Sequence, residues 1–370
     1  MVEINRKGRM RIVIDARESG TSTGRYVDKL IQYLNKLKPD HEILVLTKSH
    51  RLEFVRSVAP DFKVIKSDYK EFTFAEQLGL YRQLKSLGAD LVHFAMDRQP
   101  ILYRGKVIAT MHDLTTARYD NPSKNALVFK FKQIVYKKVL KDVAKKSAYI
   151  ITPSKYVKHD VAQYADVSPD KIFVTYEAAD LIKEVAQAVP RLKDKQFIMY
   201  VGRPLPHKNL KRLVDAFIIL KKKYPKLMLV LAGKMDTNYH RLEGYVTEKR
   251  MADSVVFTGF VTEGELKWLY QNTAAYVFPS LSEGFGLPGL EAMMHGAPVV
   301  SSDATCLPEI YGDSAYYFDP NNTFDIASKI SNVLSSAGIR AELIRKGKSR
   351  AAQFSWDRMA RQTLKLYEKV

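Results

Sequence analysis

The chain has 370 residues, 46% of them hydrophobic and 27% charged, which is enough apolar material for two ordinary globular domains. With 18 Gly, 15 Pro and a single cysteine, Cys306, it is neither collagen-like nor a disulfide scaffold, and it fits a reducing cytosol. The 59 basic and 40 acidic residues give a net charge of +19, which favours polyanionic partners such as nucleic acid, anionic lipid or phosphorylated ligands.

Thirteen short, mostly continuous apolar runs alternate along the chain with longer amphipathic stretches. Continuous runs are typical of strands buried on both faces, and their alternation with helical patterns predicts parallel sheets. Seven runs lie in the first half, at 10–14, 43–47, 63–66, 91–94, 107–110, 149–152 and 172–175. Six lie in the second half, at 197–201, 227–232, 255–258, 275–278, 298–301 and 315–318.

The strand pattern restarts after residues 180–195, a charged stretch that contains Pro190. We therefore predict an α/β chain of two Rossmann-like doubly wound domains, an N-terminal one at 1–185 and a C-terminal one at 186–354. Ligands of such sheets bind outside the carboxyl ends of the strands. Two facing sheets would enclose a cleft, so the residues that follow strands are the candidates for chemistry.

Two segments of the first half follow strands and carry small or polar residues. The loop at 18–26 contains Gly20 and Gly24, which would let backbone amides approach an anion at the start of a helix. A turn that merely needs glycine explains this loop equally well. The strand at 107–110 leads into His112, which can donate to a sugar hydroxyl or a phosphate near neutral pH, although a lone histidine is more often structural.

The strand at 197–201 runs into the sequence GRPLPHKN, residues 202–209. Arg203 and Lys208 flank a tight loop at a predicted helix N-terminus, where a guanidinium and an ammonium group can both reach a diphosphate. Two solvated charges on a loop are the alternative. The chain has no GxxxxGK[ST] motif, which argues against a P-loop nucleotidase.

The strongest signal follows the strand at 275–278, in the sequence PSLSEGFGLPGLEA at 279–292. Glu283 lies on a glycine loop, and Glu291, eight positions further on, lies on the next helix about two turns away from it, at 3.6 residues per turn. Two carboxylates at this spacing suit two hydroxylated parts of one ligand, the reacting sugar and a ribose diol. If both were only helix-end and surface charges, the surrounding glycines and prolines would have no explanation.

In this order, the motifs resemble those of the family-4 retaining glycosyltransferases of the GT-B fold. The resemblance covers most of the chain and includes 276–298, LPE at 307–309 and FSW at 354–356. In relatives the last of these leads a final helix, here 355–370, back to the N-terminal domain. One departure is the first loop, where TST at 21–23 separates two glycines that are often adjacent in the family.

The resemblance assigns roles to the candidate residues. It implies that Arg203 and Lys208 bind the diphosphate of a nucleotide-sugar donor and that Glu291 binds the ribose hydroxyls. It places His112 beside the sugar and the β-phosphate, and it makes Gly24 the backbone contact of the N-terminal domain. The remaining donor-site residues are Gly202, next to Arg203, and the group that holds the sugar: Glu283 with the backbone of Gly284, Phe285, Gly286 and Leu287.

The resemblance also implies retention of configuration, with attack on the sugar from the face of the leaving group. The donor phosphate would help to deprotonate the acceptor hydroxyl, and Glu283 would position the sugar rather than attack it. No Asp-x-Asp pair or His/Asp/Glu cluster marks the diphosphate site. We therefore expect no cofactor and no metal, because Arg203 and Lys208 can neutralise the leaving group.

The donor base is predicted from Glu263, which follows the strand at 255–258. In guanosine-using relatives, an acidic side chain near this position accepts hydrogen bonds from guanine. The overall pattern, with DAR at 15–17 and GRY at 24–26, also resembles relatives that transfer mannose. We therefore predict GDP-mannose, with a UDP- or dTDP-sugar as the alternative; Glu263 would otherwise simply favour the start of a helix.

The segment 123–149 is strongly basic, and residues 101–150 hold 11 basic against 3 acidic residues. A basic amphipathic helix can lie on an anionic membrane, as similar regions of lipid-using relatives do, or it can pack inward as an ordinary domain helix. No run of about 18 apolar residues and no signal-peptide core occurs, so we expect a cytoplasmic protein, peripheral on the inner membrane face if the segment docks there.

The predicted partners are a nucleotide-sugar donor and a glycan or lipid-linked acceptor of cell-surface polysaccharide or glycolipid synthesis. A nucleotide-sugar epimerase of the same fold could use similar phosphate and ribose contacts. A nucleic-acid-binding protein would also explain the charge. However, the sequence has neither a zinc-finger pattern nor an RNA-recognition aromatic motif, so we expect no nucleic acid.

Overall fold

A computed structural model describes residues 8–21, 23–70, 73–119 and 126–370, with the backbone alone for 126–132. Each of the thirteen predicted strands is present, within one residue of its predicted bounds. They are β1 (Arg11–Asp15), β2 (Glu42–Thr47), β3 (Lys63–Lys66), β4 (Leu91–Phe94), β5 (Val107–Thr110), β6 (Tyr149–Thr152), β7 (Ile172–Val174), β8 (Phe197–Val201), β9 (Met228–Ala232), β10 (Val255–Gly259), β11 (Ala275–Phe278), β12 (Val299–Ser302) and β13 (Ala315–Phe318).

The strands form two parallel sheets. The first has the order β3-β2-β1-β4-β5-β6-β7 and the second the order β10-β9-β8-β11-β12-β13. All paired strands in both sheets run parallel, so within each sheet every strand ends at the same edge. The loops that follow the strands therefore gather there, which is why candidate residues far apart in sequence can meet.

The described part of the chain contains fourteen α-helices, most of them connecting consecutive strands. They are α1 (Gly24–Leu37), α2 (Leu52–Val58), α3 (Tyr81–Leu87), α4 (Thr115–Arg118), α5 (Ala126–Lys146), α6 (Lys155–Ala165), α7 (Leu210–Lys223), α8 (Thr237–Glu248), α9 (Glu263–Asn272), α10 (Leu287–Met294), α11 (Leu307–Tyr311), α12 (Thr323–Ser335), α13 (Ala337–Ala351) and α14 (Trp356–Tyr367). Among the described residues, none of these helices is long and apolar enough to cross a bilayer.

The chain divides into two compact units, each built around one of the sheets. The first unit consists of Met1–Leu114, Phe131–Glu177 and Ser355–Val370. The second consists of Thr115–Lys130 and Ala178–Phe354. The division between the sheets falls after Glu177, earlier than the 185/186 boundary predicted from the sequence, and 115–130 group with the second unit.

In the first unit, α14 packs against α1 and is tied to the sheet by buried hydrogen bonds. Thr110 Oγ1 donates to the hydroxyl oxygen of Tyr26 at 3.2 Å, and Oγ1 of Thr110 also lies 2.8 Å from Nε2 of His93. Nδ1 of His93 lies 2.6 Å from the hydroxyl of Tyr367 on α14. Burial and the nearby His112 lower the pKa of His93 to about 3, so its ring is neutral. Because the hydroxyl hydrogen of Thr110 is used on Tyr26, Nε2–H of His93 donates to Thr110, and Nδ1 accepts from the hydroxyl of Tyr367.

Candidate functional site

In the second unit, three neighbouring strands each end in or next to a glycine with positive φ. The φ angles are +140° at Gly202, +157° at Gly233 and +71° at Gly259, after or at the ends of β8, β9 and β10. A Cβ atom on Gly233 would lie only 2.6 Å from the carbonyl oxygen of Gly202. The backbones thus close up tightly at this edge, which fixes where the loop carrying Arg203 leaves the sheet.

Arg203 is paired with an acidic residue that the sequence analysis did not identify. Its Nη2 donates to Oδ2 of Asp236 at 3.2 Å, and the side chain of Arg203 is 59% exposed. Burial would raise the pKa of Asp236, but its bonds from the amides of Tyr239 and Asn238 and from Arg203 outweigh burial and lower it. Asp236 also caps α8 through the two amides. The cap fixes the position of the carboxylate that accepts from Arg203.

Lys208 and Glu283, predicted for the diphosphate and the sugar, lie together. Nζ of Lys208 donates to Oε1 of Glu283 at 2.6 Å, and their side chains are 20% and 12% exposed. Lys208 also lies 6.0 Å from the ring centre of Phe278, at the end of β11. An ammonium group has three donors, so Lys208 can bind a phosphate oxygen and Glu283 at once.

Two backbone contacts explain why Lys208 meets Glu283. The amide of Leu281 donates to the carbonyl of His207 at 2.7 Å, which joins the loop after β11 to the loop after β8. Asn209 is buried, has φ +59°, and donates from Nδ2 to the carbonyls of Pro279 at 3.1 Å and Pro320 at 2.8 Å. The asparagine therefore crosslinks three loops at the carboxyl edge of the sheet.

Residues that follow β12 hold the glycine loop after β11 in place through hydrogen bonds. The amide of Glu283 donates to Oγ1 of Thr305 at 3.1 Å. Gly286 has φ +94° and directly precedes α10, and its carbonyl accepts from the hydroxyl of Tyr311 at 2.6 Å. Phe285 is 4% exposed and packs edge-on against Phe354, so only its backbone can face a ligand. Gly284 is also buried, and the half-buried Leu287 begins α10.

Glu291 lies one turn into α10 and has a partner on α9. The hydroxyl of Tyr270, which is fully buried, donates to Oε2 of Glu291 at 3.3 Å. The ring of Tyr270 stacks on His295 at 5.5 Å, and Nδ1 of His295 lies 2.7 Å from the Glu291 carbonyl. Glu283 and Glu291 thus have different partners, an ammonium group and a phenol, which suits two different tasks.

Glu263 is exposed and is the first residue of α9. The cap of this helix is formed by other residues, since Thr262 accepts from the amide of Glu265 and Glu265 accepts from the amide of Thr262. Glu263 therefore does not supply the cap. The neighbouring Phe260, in the loop after β10, is 82% exposed.

In the first unit, His112 follows β5 and contacts two oxygen atoms of the protein. Nδ1 lies 3.3 Å from Oε1 of Glu177, and Nε2 lies 3.1 Å from the carbonyl oxygen of Ala95. The ring of Tyr26 meets the imidazole edge-on at 4.9 Å. Burial lowers the pKa of His112, but the hydrogen bond and charge of Glu177, with Ala95 and Asp113, outweigh burial and raise it.

Gly24 begins α1, and its amide is already used inside the first loop. It donates to the carbonyl and the hydroxyl oxygen of Thr21, at 3.1 and 3.0 Å. A Cβ atom at Gly24 would lie 1.9 Å from the carbonyl oxygen of Glu18. The turn therefore needs glycine for close packing, which is the simpler of the two interpretations of this loop. Ser22 lies outside the described residues.

The DAR segment at 15–17 serves the fold of the first unit. Arg17 is 5% exposed and donates two bonds to Asp15, at 2.9 and 2.8 Å. It also donates to Glu76 at 3.1 Å. A guanidinium paired with two buried carboxylates is satisfied by the protein itself. This part of the mannosyltransferase-like pattern thus has a structural explanation.

Three functional candidates were missed by the sequence analysis: Asp236, Tyr270 and Glu177. Asp236 and Glu177 both follow strands, β9 and β7, so the rule that selected His112 and Arg203 could have found them. Tyr270 lies within a helix and carries no such signal. Among the described residues, no group of three or more His, Cys, Asp or Glu side chains is placed to hold a metal ion.

Two family models together match nearly the whole chain. The model described as Glycosyltransferase Family 4 matches residues 23–183, and the model described as Glycosyl transferases group 1 matches residues 182–350. The chain therefore belongs to the glycosyltransferases that these two models describe. The predicted α/β fold, with two Rossmann-like doubly wound sheets of the GT-B type, is confirmed.

Relatives of known name support this membership. O-antigen chain mannosyltransferase B of Escherichia coli is 32% identical over 231 residues, which are 59% of this chain and 60% of that protein. The O-antigen chain mannosyltransferase RfbU of Salmonella typhimurium is 25% identical over 85% of this chain and 88% of its own. The chain thus spans less than two thirds of the first relative.

A solved structure agrees with the fold. HepE of Anabaena, in a complex with UDP and glucose, superposes with a TM-score of 0.76 over 98% of this chain and 100% of its own. The two chains are 16% identical, so the likeness is one of fold.

The conformation of Gly286 gives a test of the glycine loop. Gly286→Ala would force φ +94° on alanine and place Cβ 2.5 Å from the Tyr311 hydroxyl. We expect a loss of about 1–3 kcal/mol in the free energy of unfolding, measured by urea denaturation. The control is Gly244→Ala in α8, where a Cβ would meet no atom within 4 Å. That variant should gain roughly 0.5–1 kcal/mol, and equal effects of both would contradict the assignment.

Proposed function

We propose that the chain transfers a hexose, mannose from GDP-mannose, to a glycan or lipid-linked acceptor of cell-surface polysaccharide or glycolipid synthesis. The observation that carries this proposal is the meeting of Lys208 and Glu283 at 2.6 Å, at the edge where Arg203 also leaves the sheet. Cations for a diphosphate and a carboxylate for sugar hydroxyls are what a nucleotide-sugar site requires. The mannosyltransferase relatives support the sugar, and the UDP and glucose in HepE support the class of donor.

In the proposed reaction, the bond between the anomeric carbon and the donor phosphate oxygen breaks as the acceptor oxygen bonds to that carbon from the same face. The acceptor hydroxyl gives its proton to the departing phosphate oxygen, and the products are GDP and a glycoside with retained configuration. Lys208 and Arg203 stabilise the charge that grows on the diphosphate. Glu283 holds sugar hydroxyls, and Glu291 holds the ribose.

The two glutamates should affect different kinetic constants. Glu291→Ala should weaken donor binding about tenfold or more, because a ribose contact acts alike in the ground and transition states. Glu283→Ala should lower kcat on the order of 10²-fold, since the sugar changes charge and shape during reaction. Calorimetry with GDP-mannose and steady-state kinetics measure the two effects. Normal affinity and turnover in both variants would refute the site, and product without an acceptor would indicate an epimerase.

The cations should be sufficient without a divalent ion. Arg203→Ala and Lys208→Ala should each lower kcat on the order of 10²-fold, because the leaving-group charge is greatest in the transition state. EDTA should leave the activity of the wild-type protein unchanged. The matched control is Lys211→Ala, an exposed lysine in the first turn of α7, which should behave as wild type. Activity lost to EDTA and restored by Mg²⁺ or Mn²⁺ would overturn the metal-free mechanism.

The base preference is proposed to depend on Glu263. Its exposed carboxylate stands at the start of α9 without serving the cap, so it is available to accept from N1–H and the amine of guanine. Calorimetry should show tighter binding of GDP than of UDP, with the difference reduced several-fold in Glu263→Ala. Tighter binding of UDP would contradict the guanosine assignment. If Glu263→Ala still binds GDP more tightly than UDP, the base preference depends on the backbone of 259–261 instead.

We also place the protein at the cytoplasmic face of an anionic membrane, through the basic segment 123–149. In the described part of α5, Leu140, Val143 and Ala144 pack inward, as in a domain helix. Ile134 and Val135, however, are 68% and 44% exposed. Further along the same helix, five lysines are exposed: Lys137, Lys138, Lys141, Lys145 and Lys146. Lys124, Lys130 and Lys132, also counted in this segment, lie outside the described side chains.

Exposed apolar residues on a helix that also carries exposed lysines suit the surface of an anionic membrane, which has apolar acyl chains beneath negatively charged headgroups. In sedimentation with vesicles, the protein should bind phosphatidylglycerol-containing vesicles and not pure phosphatidylcholine ones. Lys137→Glu/Lys138→Glu should lose most of this binding, since each lysine near the surface contributes about 1 kcal/mol. Lys222→Glu/Lys226→Glu in the second unit changes the net charge equally and should retain it. Equal loss in both pairs would leave only a general charge effect and contradict docking by α5.

A further inference from the structure

The surroundings of His112 determine its protonation state. Nδ1 faces the carboxylate of Glu177 at 3.3 Å and Nε2 faces the Ala95 carbonyl at 3.1 Å. Neither oxygen has a hydrogen to give, so each ring nitrogen must be the donor. A neutral imidazole has only one N–H and would leave a lone pair pointing at an oxygen. Only the imidazolium satisfies both contacts.

The groups packed around the ring favour the same state. Glu177, after β7, is 7% exposed at its side chain, and His112 is 18% exposed, so their attraction is little screened by water. Asp113 adds a second negative charge from the same loop. Tyr26 of α1 contributes a T-shaped ring contact at 4.9 Å. The one basic group on the neighbouring strand, His93 of β4, is neutral because its pKa is lowered to about 3.

We propose that Glu177 is the positioning residue of His112, and that it keeps the imidazole doubly protonated so that a positive charge is available to an anionic phosphate group. This proposal rests on the proposed function only for the identity of the anion. In this proposal Glu177 does not contact the donor; it acts through the imidazole ring of His112. The Ala95 carbonyl fixes the ring orientation, and Glu177 supplies the charge that makes the second proton stable.

The pH dependence follows from the raised pKa of His112. Below the unperturbed pKa the ring is charged with or without Glu177. Between the unperturbed and the raised pKa only the protein with Glu177 keeps the charge, and above the raised pKa the charge is lost. Binding of an anion that needs the imidazolium must therefore weaken as the pH rises through the raised value.

The first experiment is an NMR titration of the histidine Cε1 protons in the full chain without ligand, with the His112 resonance assigned by its loss in His112→Gln. The wild-type pKa of His112 should lie above the ordinary value of about 6.5. Glu177→Gln should lower it by at least about one unit, a tenfold change in the proton affinity. Glu177→Asp, which keeps the charge, should recover part of the shift. Glu18→Gln removes a carboxylate from the loop after β1 and should leave the pKa unchanged.

The second experiment measures the affinity for GDP-mannose by calorimetry between pH 6 and 8.5, a range in which the charge of a diphosphate diester is constant. The wild-type affinity should fall several-fold as the pH rises through the His112 pKa. In Glu177→Gln the fall should move to lower pH, and in His112→Gln it should vanish.

The two experiments separate two failures. A wild-type His112 pKa at or below 6.5, or one that Glu177→Gln does not change, overturns the role of Glu177 whatever the donor is. If Glu177→Gln does not fold, the wild-type value and that of Glu177→Asp decide. A protein with the expected pKa values that does not bind GDP-mannose counts against the donor assignment instead.

Discussion

The ion pair between Lys208 and Glu283 is the contact on which the arrangement of the second unit's candidate site depends. The two residues stand 75 positions apart and belong to loops that follow adjacent strands, β8 and β11. Their meeting requires both loops to be held in register. Asn209 does this by donating to the carbonyls of Pro279 and Pro320 from a left-handed backbone conformation. Without this crosslink, an ammonium and a carboxylate so close to solvent would gain little from pairing.

The same edge explains why glycine recurs among the candidates. Gly202 and Gly233 lie so close that the Cβ of any other residue at 233 would strike the opposite carbonyl. Gly286 is constrained by Tyr311 in the same way. Close backbone packing brings amide groups and short loops to the surface of the sheet edge, and that surface is what a diphosphate and a sugar can approach. The glycines thus act through packing first and through ligand contact second.

Much of the fold could be predicted from the sequence because each buried parallel strand has a continuous apolar run. The candidate site was predictable where a charged residue directly follows a strand, as for Arg203 and His112. Which of these residues pair with one another could not be predicted, because pairing depends on which strands are neighbours. Nothing in the sequence says that β7 brings Glu177 to His112, or that α9 brings Tyr270 to Glu291. The buried pairing of Arg17 is a related case, since a basic residue after a strand gives the same signal whether it faces a ligand or the core.

One feature is common to the three cations that we propose for the donor phosphates: each is already paired with a carboxylate. Arg203 pairs with Asp236, Lys208 with Glu283 and His112 with Glu177. Such pairing fixes the cation in place, so less conformational entropy is lost when an anion binds. In the proposed site it would also set a negative charge near the anion, which would lower the affinity for the nucleotide in the ground state. A transferase has to release its nucleoside diphosphate after each transfer, and a site of bare cations would hold that product more tightly. Pairing therefore favours turnover, because the cations are needed most when charge develops on the leaving group and least afterwards.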